Sequence, residues 1–419
     1  MWGVVVSGPD DSPEEAEFRA RVRNGLAAVL KPREDGGAFS LMGAGTDDLE
    51  SGRRFLAVLA DGGYAVPTWP VEYGGMGATA QDAAIVAQEL ASFEGPDLYP
   101  FAVGLGMVGP TVMTHGTTEQ QARWVSKIRS GEEIWCQLFS EPDAGSDLAG
   151  LTSRAERDGD LWRVTGSKIW SSRAHYADWG LLLARTDPSV PKHAGITAFA
   201  LDMRAPGVDV RPLRQMNGDA HFNQVFLSEA PIPDGDRIGG PGDGWRVAIT
   251  TLSYERGATG ARLGLPRAQL VDLGRAKGVS GDPVARDRLT RVIAALEVNR
   301  MTAERARAAA RAGRPPGPEG SGSKLRLSAT LKAIGDVALS LEGPAGVAGE
   351  LETDPWQTLF LTGPSMSIRG GTDEIQRNIL GERVLGLPPE PRVDKDRPFS
   401  AAGDRSTLPT ASGDSARPG

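Results

Sequence analysis

Cysteine is almost absent. The chain of 419 residues carries one, Cys136, which excludes an internal disulfide framework and a cysteine-built zinc site. The four histidines, His115, His175, His193 and His221, stand far apart with no ligand-like spacing, so no metal role is expected. No run approaches the ~20 apolar residues of a membrane-spanning helix. The opening MWGVVVSGPDDSPEE has no basic region and too short an apolar run for a signal peptide, and a cytoplasmic location is the expectation. Positive charge is not in excess: 46 Lys and Arg face 54 Asp and Glu, a net charge of −8, which argues against nucleic-acid binding. Arg-rich runs such as RAKG and RARAAARAG are diluted by alanine and nearby acids and read as solvated helix faces. What is present, 40% hydrophobic and 24% charged residues, is the composition of a soluble globular chain long enough for two or three domains.

The period of the apolar pattern changes twice. Up to about residue 130 it is helical: EFRARVRNGLAAVL and QDAAIVAQELASF repeat at three to four, and Ile85, Val86, Leu90 and Phe93 share a face. Between these helices VPTWPVEYGG, with two prolines and a Gly pair, predicts an ordered loop. Thr117 or Thr118 can cap the helix TEQQARWVSKI. From Ile134 the pattern becomes short strands, IWCQLFS, LWRVTGSKIW, DWGLLLART, GITAFALDM, VDVRPL and NQVFLSEA, parted by turn signals such as RDGD, APG and NGD. Helical period resumes at Gly244 in four long segments that would pack as a bundle. The fold class expected is α+β: an N-terminal helical domain (1–130), a middle antiparallel β-domain, barrel or sandwich (131–240), a C-terminal four-helix bundle (241–389), and a disordered tail (390–419) poor in apolar residues.

Three segments carry chemistry. In CQLFSEPDAGSDLAGL a strand ends at Phe139 and Ser140, and a turn brings Gly145 and Ser146 together. Glycine lets backbone N–H groups approach a phosphate and serine adds a donor, although an isolated GSD reads as an ordinary Asx turn. GSKIWSS places Trp170 beside Ser171 and Ser172, a combination able to wall a flat ring and bond its polar edge. In SIRGGTDEIQR, Thr372 opens a helix whose first turn holds Asp373 and Glu374. Those acids would repel a phosphate but could accept ribose hydroxyls.

SEPDAGSD, GSKIW, YERG and GGTDEIQRNILGERVLGLP, in this order and spacing, together resemble the acyl-CoA dehydrogenases over roughly residues 14–389. WPVEYGG, WCQLFSEP and TLSYERG resemble the actinobacterial branch that includes steroid side-chain enzymes. The resemblance implies FAD as cofactor, an acyl-CoA or acyl-carrier thioester as substrate, an electron-transferring flavoprotein as acceptor, and a homo- or hetero-oligomer. It implies that Ser140, beside Phe139, bonds the flavin pyrimidine edge, and that Ser146, next to Gly145, meets the pyrophosphate. Trp170 would pack on the flavin, Ser172, following Ser171, would bond near N5, and Thr372 and Glu374 would hold the adenosine part.

The general base is not where one branch of the family keeps it. There a glutamate immediately precedes Gly-Thr, and here that position is Gly370. In other branches the base stands on an earlier helix just before an arginine, which matches Glu255-Arg256. The helix pattern agrees, because Trp245, Ala248, Leu252, Glu255 and Thr259 recur at three and four residues. Glu255 therefore falls on the apolar stripe, where desolvation makes a carboxylate a stronger base. The bland alternative is a surface or structural pair with Arg256. The backbone N–H of Gly370 survives the loss of a side chain and would share in polarising the thioester oxygen.

Two family features are altered. Of an Arg-x-x-Phe motif that reaches FAD across a subunit interface, GRAKGVSGDP keeps Arg275 and lacks the Phe. In ALSLEGPAG, which leads to a turn at Gly343, Ser340 stands where the family carries Gln. FAD would then bind with fewer contacts in a homo-oligomer, or a second, related chain would supply them. Two other functions stay open: an FAD- or acyl-CoA-binding partner subunit without its own catalysis, and a flavin monooxygenase of related fold.

Overall fold

The computed structural model describes residues 11–33, 47–261, 267–314, 317–349, 354–391, 394 and 396–402. Helices α1 (Pro13–Ala27), α2 (Leu49–Ala60), α3 (Ala80–Leu90), α4 (Gly109–His115) and α5 (Thr118–Ser130) come first. Local chemistry sets three of their starts. Ser12, Thr79 and Thr117 each form a capping box with the residue three further on, Glu15, Asp82 and Gln120, which satisfies backbone donors that a helix leaves open. Of the two candidate caps for α5, Thr117 is the one used. Gly131, at φ +72°, ends α5 in the left-handed region.

The middle of the chain is one sheet of β1 (Trp135–Leu138), β2 (Arg154–Asp158), β3 (Leu161–Ser172), β4 (Trp179–Arg185), β5 (Ile196–Asp202), β6 (Val208–Leu213), β7 (Phe222–Pro233) and β8 (Arg237–Ile238). Its order is β6-β7-β3-β2-β4-β5-β8, with β1 beside β4. The six strands legible in the sequence all form. β2 carries no strand signal of its own, since RAERD has no β-branched or aromatic residue. It is extended because its backbone pairs with β3. The sheet is not wholly antiparallel, as was expected: β1 runs parallel to β4, and a parallel bridge joins Arg154 to Arg185. The hairpin of β2 and β3 lies between β1 and β4 in the chain, so the two meet through a crossover. Trp135 stacks on Trp179 across this parallel pair, and Trp124 of α5 meets both edge-on at 5.4 and 5.7 Å. Those rings weld α5 to the sheet.

The C-terminal part contains α6 (Gly244–Ala261), α7 (Arg267–Ala276), α8 (Pro283–Arg311), α9 (Gly320–Glu342), α10 (Pro344–Ala348), α11 (Pro355–Thr362), α12 (Asp373–Ile379) and α13 (Phe399–Ala402). Two cores divide these helices. Leu270, Leu296, Leu331, Ile334, Trp356 and Leu359 close the bundle of α7, α8, α9 and α11. Val247 and Ala248 of α6 belong instead to the core that the N-terminal helices share with the sheet. The segment from 390, expected to be disordered, is described in part and docks. Asp394 pairs with Lys192 at 2.7 Å, the Phe399 N–H donates to the Val190 carbonyl at 2.9 Å, and the Phe399 ring lies 3.5 Å from the Arg185 guanidinium. An ion pair, backbone hydrogen bonds and an aromatic ring on a buried cation together seat this polar segment. Residues 403–419 lie outside the described residues.

The loop after α2 is ordered as its prolines and glycines predict. Trp69 is buried beneath it, and its carbonyl accepts from the Gly77 N–H at 2.8 Å. A Cβ on Gly75 would stand 2.2 Å from that same Trp69 oxygen, a contact that only backbone movement relieves. Gly75→Ala is expected to lower the melting temperature by several degrees and to open this loop to limited proteolysis. An unchanged melting curve and cleavage pattern would contradict the assignment.

Candidate active site

The segment following β1 is held from both ends. Glu141 is buried. Its carboxylate accepts from the Thr152 N–H and hydroxyl at 2.7 and 2.8 Å, from the Ser153 N–H at 3.0 Å, and from the Lys168 ammonium at 2.7 Å. Lys168 is wholly buried in β3 and also donates to the Phe139 carbonyl at 3.2 Å. Arg185 in β4 donates to the carbonyls of Ala149 and Leu151. Both feet of the loop are therefore pinned by desolvated charges, and its tip, Gly145 to Asp147, is left exposed. Burial would raise the Glu141 carboxyl, but the attraction and hydrogen bond of Lys168, with the Ser153 and Thr152 bonds, overcome it and hold the group at about 2. Burial pulls the Lys168 ammonium down to about 8 against the pull of Glu141. Sequence reasoning passed over both residues. The signal was present: each is an ionisable side chain inside one of the motifs, SEPDAGSD and GSKIW.

That clamp brings two of the expected segments side by side. The Ser140 carbonyl accepts from the Ile169 N–H at 2.9 Å, so Phe139 and Ser140 abut the end of β3. There the ladder with β7 slips between Lys168 and Ser171, and Trp170 sits in the bulge at φ +60°. A non-glycine residue in this region is strained. The strain turns its indole outward, 58% exposed, with only an edge contact to Phe222 at 6.0 Å. Ser171 points the other way, and its buried Oγ has no hydrogen-bond partner among the described residues. Ser172 is half-buried and pairs with Phe222 on β7. Gly145 has nothing within 4 Å of a Cβ position, and Ser146 is exposed beside it. An exposed indole beside an open glycine turn with an exposed serine makes a surface able to receive a flat ring with a polar tail.

The turn before α12 contains Gly370 at φ +65° and Gly371 at φ +86°, two consecutive residues in the region that favours glycine. Gln376 donates to the Gly370 carbonyl at 3.1 Å. Thr372 caps α12, accepting from the Ile375 N–H at 3.2 Å. The two acids of its first turn separate: Asp373 is buried against Lys324 at 3.1 Å, and Glu374 is exposed on Arg377 at 3.3 Å. Of the pair, Glu374 alone is open to a ligand's hydroxyls.

α6 lies between the β-domain and the N-terminal helices. Its inner face presents Val247, Ala248, Thr251, Leu252 and Glu255 in turn, the first three buried and the last two partly so. The Thr251 and Thr111 hydroxyls lie 3.0 Å apart in the interior, and His115 Nε2 meets the Thr250 hydroxyl at 2.8 Å. Glu255 is the next inward position along this stripe. Arg256 follows it in the helix, and its side chain lies outside the described residues, as does that of Thr259.

Two expected residues stand apart from this surface. Arg275 is on the outer end of α7, 78% exposed and paired with Asp272 at 3.1 Å. Gly343 caps α9 at φ +67° and ψ −145°, a backbone conformation open to glycine. Ser340, close by, accepts from Arg288 at 2.6 Å and lines a groove of about 230 Å³ with Lys277, Val279, Asp282 and Leu341. Among the described residues, no group of His, Cys, Asp or Glu could hold a metal ion and no helix is long and apolar enough to cross a membrane.

Comparison with known proteins defines the class. Residues 12–132, 136–228 and 242–385 match the N-terminal, middle and C-terminal domains of acyl-CoA dehydrogenases. The chain belongs to the acyl-CoA dehydrogenase family. It is 38% identical over 397 residues to acyl-CoA dehydrogenase IpdE1 of Mycolicibacterium smegmatis, covering 90% of this chain and 99% of that one. It is 39% identical over 381 residues to IpdE1 of Mycobacterium tuberculosis, covering 89% and 98%. Among solved structures it resembles the Tcur3481-Tcur3483 steroid ACAD, with 29% identity, a TM-score of 0.76, and coverage of 91% and 99%. It also resembles the ChsE4-ChsE5 complex from Mycobacterium tuberculosis, with 27% identity, a TM-score of 0.71, and coverage of 91% and 100%. Acyl-CoA dehydrogenases are FAD-dependent oxidoreductases of lipid and steroid metabolism, and the exposed Trp170 indole beside the open turn at Gly145 and Ser146 is compatible with that cofactor.

The Glu141–Lys168 clamp has a pH signature. A folded value of about 2 against the ordinary 4.5 means that folding favours the charged carboxylate. Its contribution, roughly 3 kcal/mol, is complete above pH 4.5 and is lost as the pH falls from there toward 2. Denaturation measured from pH 6 down to pH 3 should show this loss in the wild type. Glu141→Gln leaves Lys168 buried without its counter-charge, so it should start about 3–5 kcal/mol lower and have a shallower acid limb. Equal acid limbs would refute the clamp.

Proposed function

We propose that Glu255 removes the α-proton of an acyl thioester while the β-hydrogen leaves with its electron pair, giving the trans-2-enoyl thioester. FAD, when bound, supplies the acceptor for that hydride. The observation that supports Glu255 is its place on the inward stripe of α6, one turn beyond the buried Thr251. There the carboxylate is partly withdrawn from water, within the layer where a substrate's α-carbon would lie against the flavin. Gly370 has no proton-accepting side chain. The space at its Cβ position is open, with nothing within 4 Å, and its N–H would donate to the thioester oxygen as negative charge gathers there. Phe139, Ser140 and Ser172 would orient the ring edge, Gly145 and Ser146 the pyrophosphate, and Thr372 and Glu374 the adenosine end. The substrate is an acyl-CoA or carrier-bound thioester, and the electrons pass on to an electron-transferring flavoprotein.

A heteromeric working unit is the second reading. The two altered positions, the Phe missing after Arg275 and Ser340 in place of Gln, both lie at the groove on the bundle, and Ser340 is already engaged by Arg288. Two similar structures, the Tcur3481-Tcur3483 steroid ACAD and the ChsE4-ChsE5 complex, are each named for two chains. Flavin absorbance of this chain purified alone decides it: full occupancy supports a homo-oligomer, and little or none supports a second chain. For the chemistry, Glu255→Gln keeps the shape and removes the base. Anaerobic flavin bleaching by a substrate thioester should slow at least a thousandfold, with flavin content unchanged. Bleaching at the wild-type rate would exclude Glu255.

A further inference from the structure

Buried arginines in this protein are compensated. Arg19 is shared between Asp11 and Glu89, Arg173 grips Asp47 at 2.8 Å, and Arg185 is spread over three backbone carbonyls. Arg369, half-buried, has no carboxylate or carbonyl partner of this kind among the described residues. Its Nε points at the Met366 sulfur at 3.0 Å, a weak acceptor. Its Nη2 is sealed from solvent and has no hydrogen-bond partner among the described residues, and none of the carboxylates among them pairs with it. Burial depresses this guanidinium, and the nearby Tyr99 only partly offsets it.

The neighbours are committed elsewhere. The Tyr99 ring lies under the Arg173 guanidinium at 4.3 Å. Asp47 serves Arg173 and the Tyr176 hydroxyl. Asp219 accepts from Asn217 and stands 3.8 Å from His221. Arg369 is the residue before Gly370, beside which there is open space. A sealed guanidinium N–H without an acceptor is unfavourable, and an unsatisfied polar group of this kind marks a place where a ligand's acceptor would be stabilising.

We propose that Arg369 is a specificity-determining residue that receives an oxygen of the acyl group, a carboxylate or a carbonyl borne beyond the thioester, so that the enzyme selects oxygenated acyl thioesters over plain hydrocarbon ones. The inference rests on the dehydrogenation reading, because Gly370 would hold the thioester oxygen one residue away. A guanidinium fork matches a planar carboxylate best, and a ketone oxygen can also take one of its N–H groups. Tyr99, on the segment whose π turn Gly104–Val108 packs against α6, would form the opposite wall.

The test uses the flavin-loaded enzyme in its native assembly and three thioesters of equal chain length: octanoyl-CoA, its ω-carboxylate suberyl-CoA, and 7-oxooctanoyl-CoA. Anaerobic flavin bleaching by any of them tests dehydrogenation, and the ratio of their kcat/KM values tests Arg369. The wild type should favour at least one oxygenated thioester by tenfold or more. Favouring suberyl-CoA alone identifies a carboxylate site, and favouring the ketone equally identifies a neutral acceptor. In Arg369→Met the ratio should collapse toward one, and Arg369→Lys should keep part of it. A wild type that favours octanoyl-CoA, or an Arg369→Met that slows all three by one factor, overturns the proposal. If Arg369→Met does not fold, calorimetry on the wild type decides. A non-oxidisable thioether analogue carrying the ω-carboxylate or the ketone should bind at least tenfold tighter than the plain one, and equal affinity for all three refutes the site.

Discussion

Lys168 has no exposed surface and Glu141 almost none, and the 2.7 Å contact between them joins the loop after β1 to the middle of β3. Neither charge could stay buried alone, since an unpaired ion in the interior costs several kcal/mol. The pair therefore holds the loop to β3, and the residues proposed to meet the flavin ring hang from these two segments. Phe139 and Ser140 sit immediately before Glu141, and Trp170, Ser171 and Ser172 follow Lys168 within four residues. The bulge that turns Trp170 outward is affordable because the clamp anchors the strand just ahead of it.

A second constraint places the proposed base. α6 counts as a bundle helix by sequence order, yet its inner face is part of the core shared by the sheet and the N-terminal helices. The Thr111–Thr251 contact and the His115–Thr250 bond tie it to α4. Glu255 thus lies at a junction of three layers, while the bundle packs around a separate core. Such a division suits a site whose chemistry must stay rigid while the outer bundle surface meets another chain.

Much of this was legible in local chemistry. Capping residues such as Thr117 and Thr372, the short apolar run in GLLLAR, and the helical stripe through Glu255 all act over a few residues and read directly from their order. β2 was not legible, because RAERD has no strand preference and is extended only by its pairing with β3. The parallel β1–β4 contact depends on where a crossover delivers the chain. The docking of Phe399 depends on Arg185, more than two hundred residues earlier. Glu141 and Lys168 stood inside recognised motifs, but their value is a distance between two side chains, which no linear spacing encodes.

The order of residues by itself determined the helix–sheet–helix plan, the family, and the identity of the groups that can do chemistry, because periodicity, caps and turn residues are short-range effects. Only the tertiary structure decided which charges are compensated. It paired Glu141 with Lys168 and Asp373 with Lys324, sent Glu374 to the surface, and left one guanidinium nitrogen of Arg369 sealed without a partner among the described residues. The physical reason is that desolvation depends on everything packed around a group, and residues distant in the chain supply that packing.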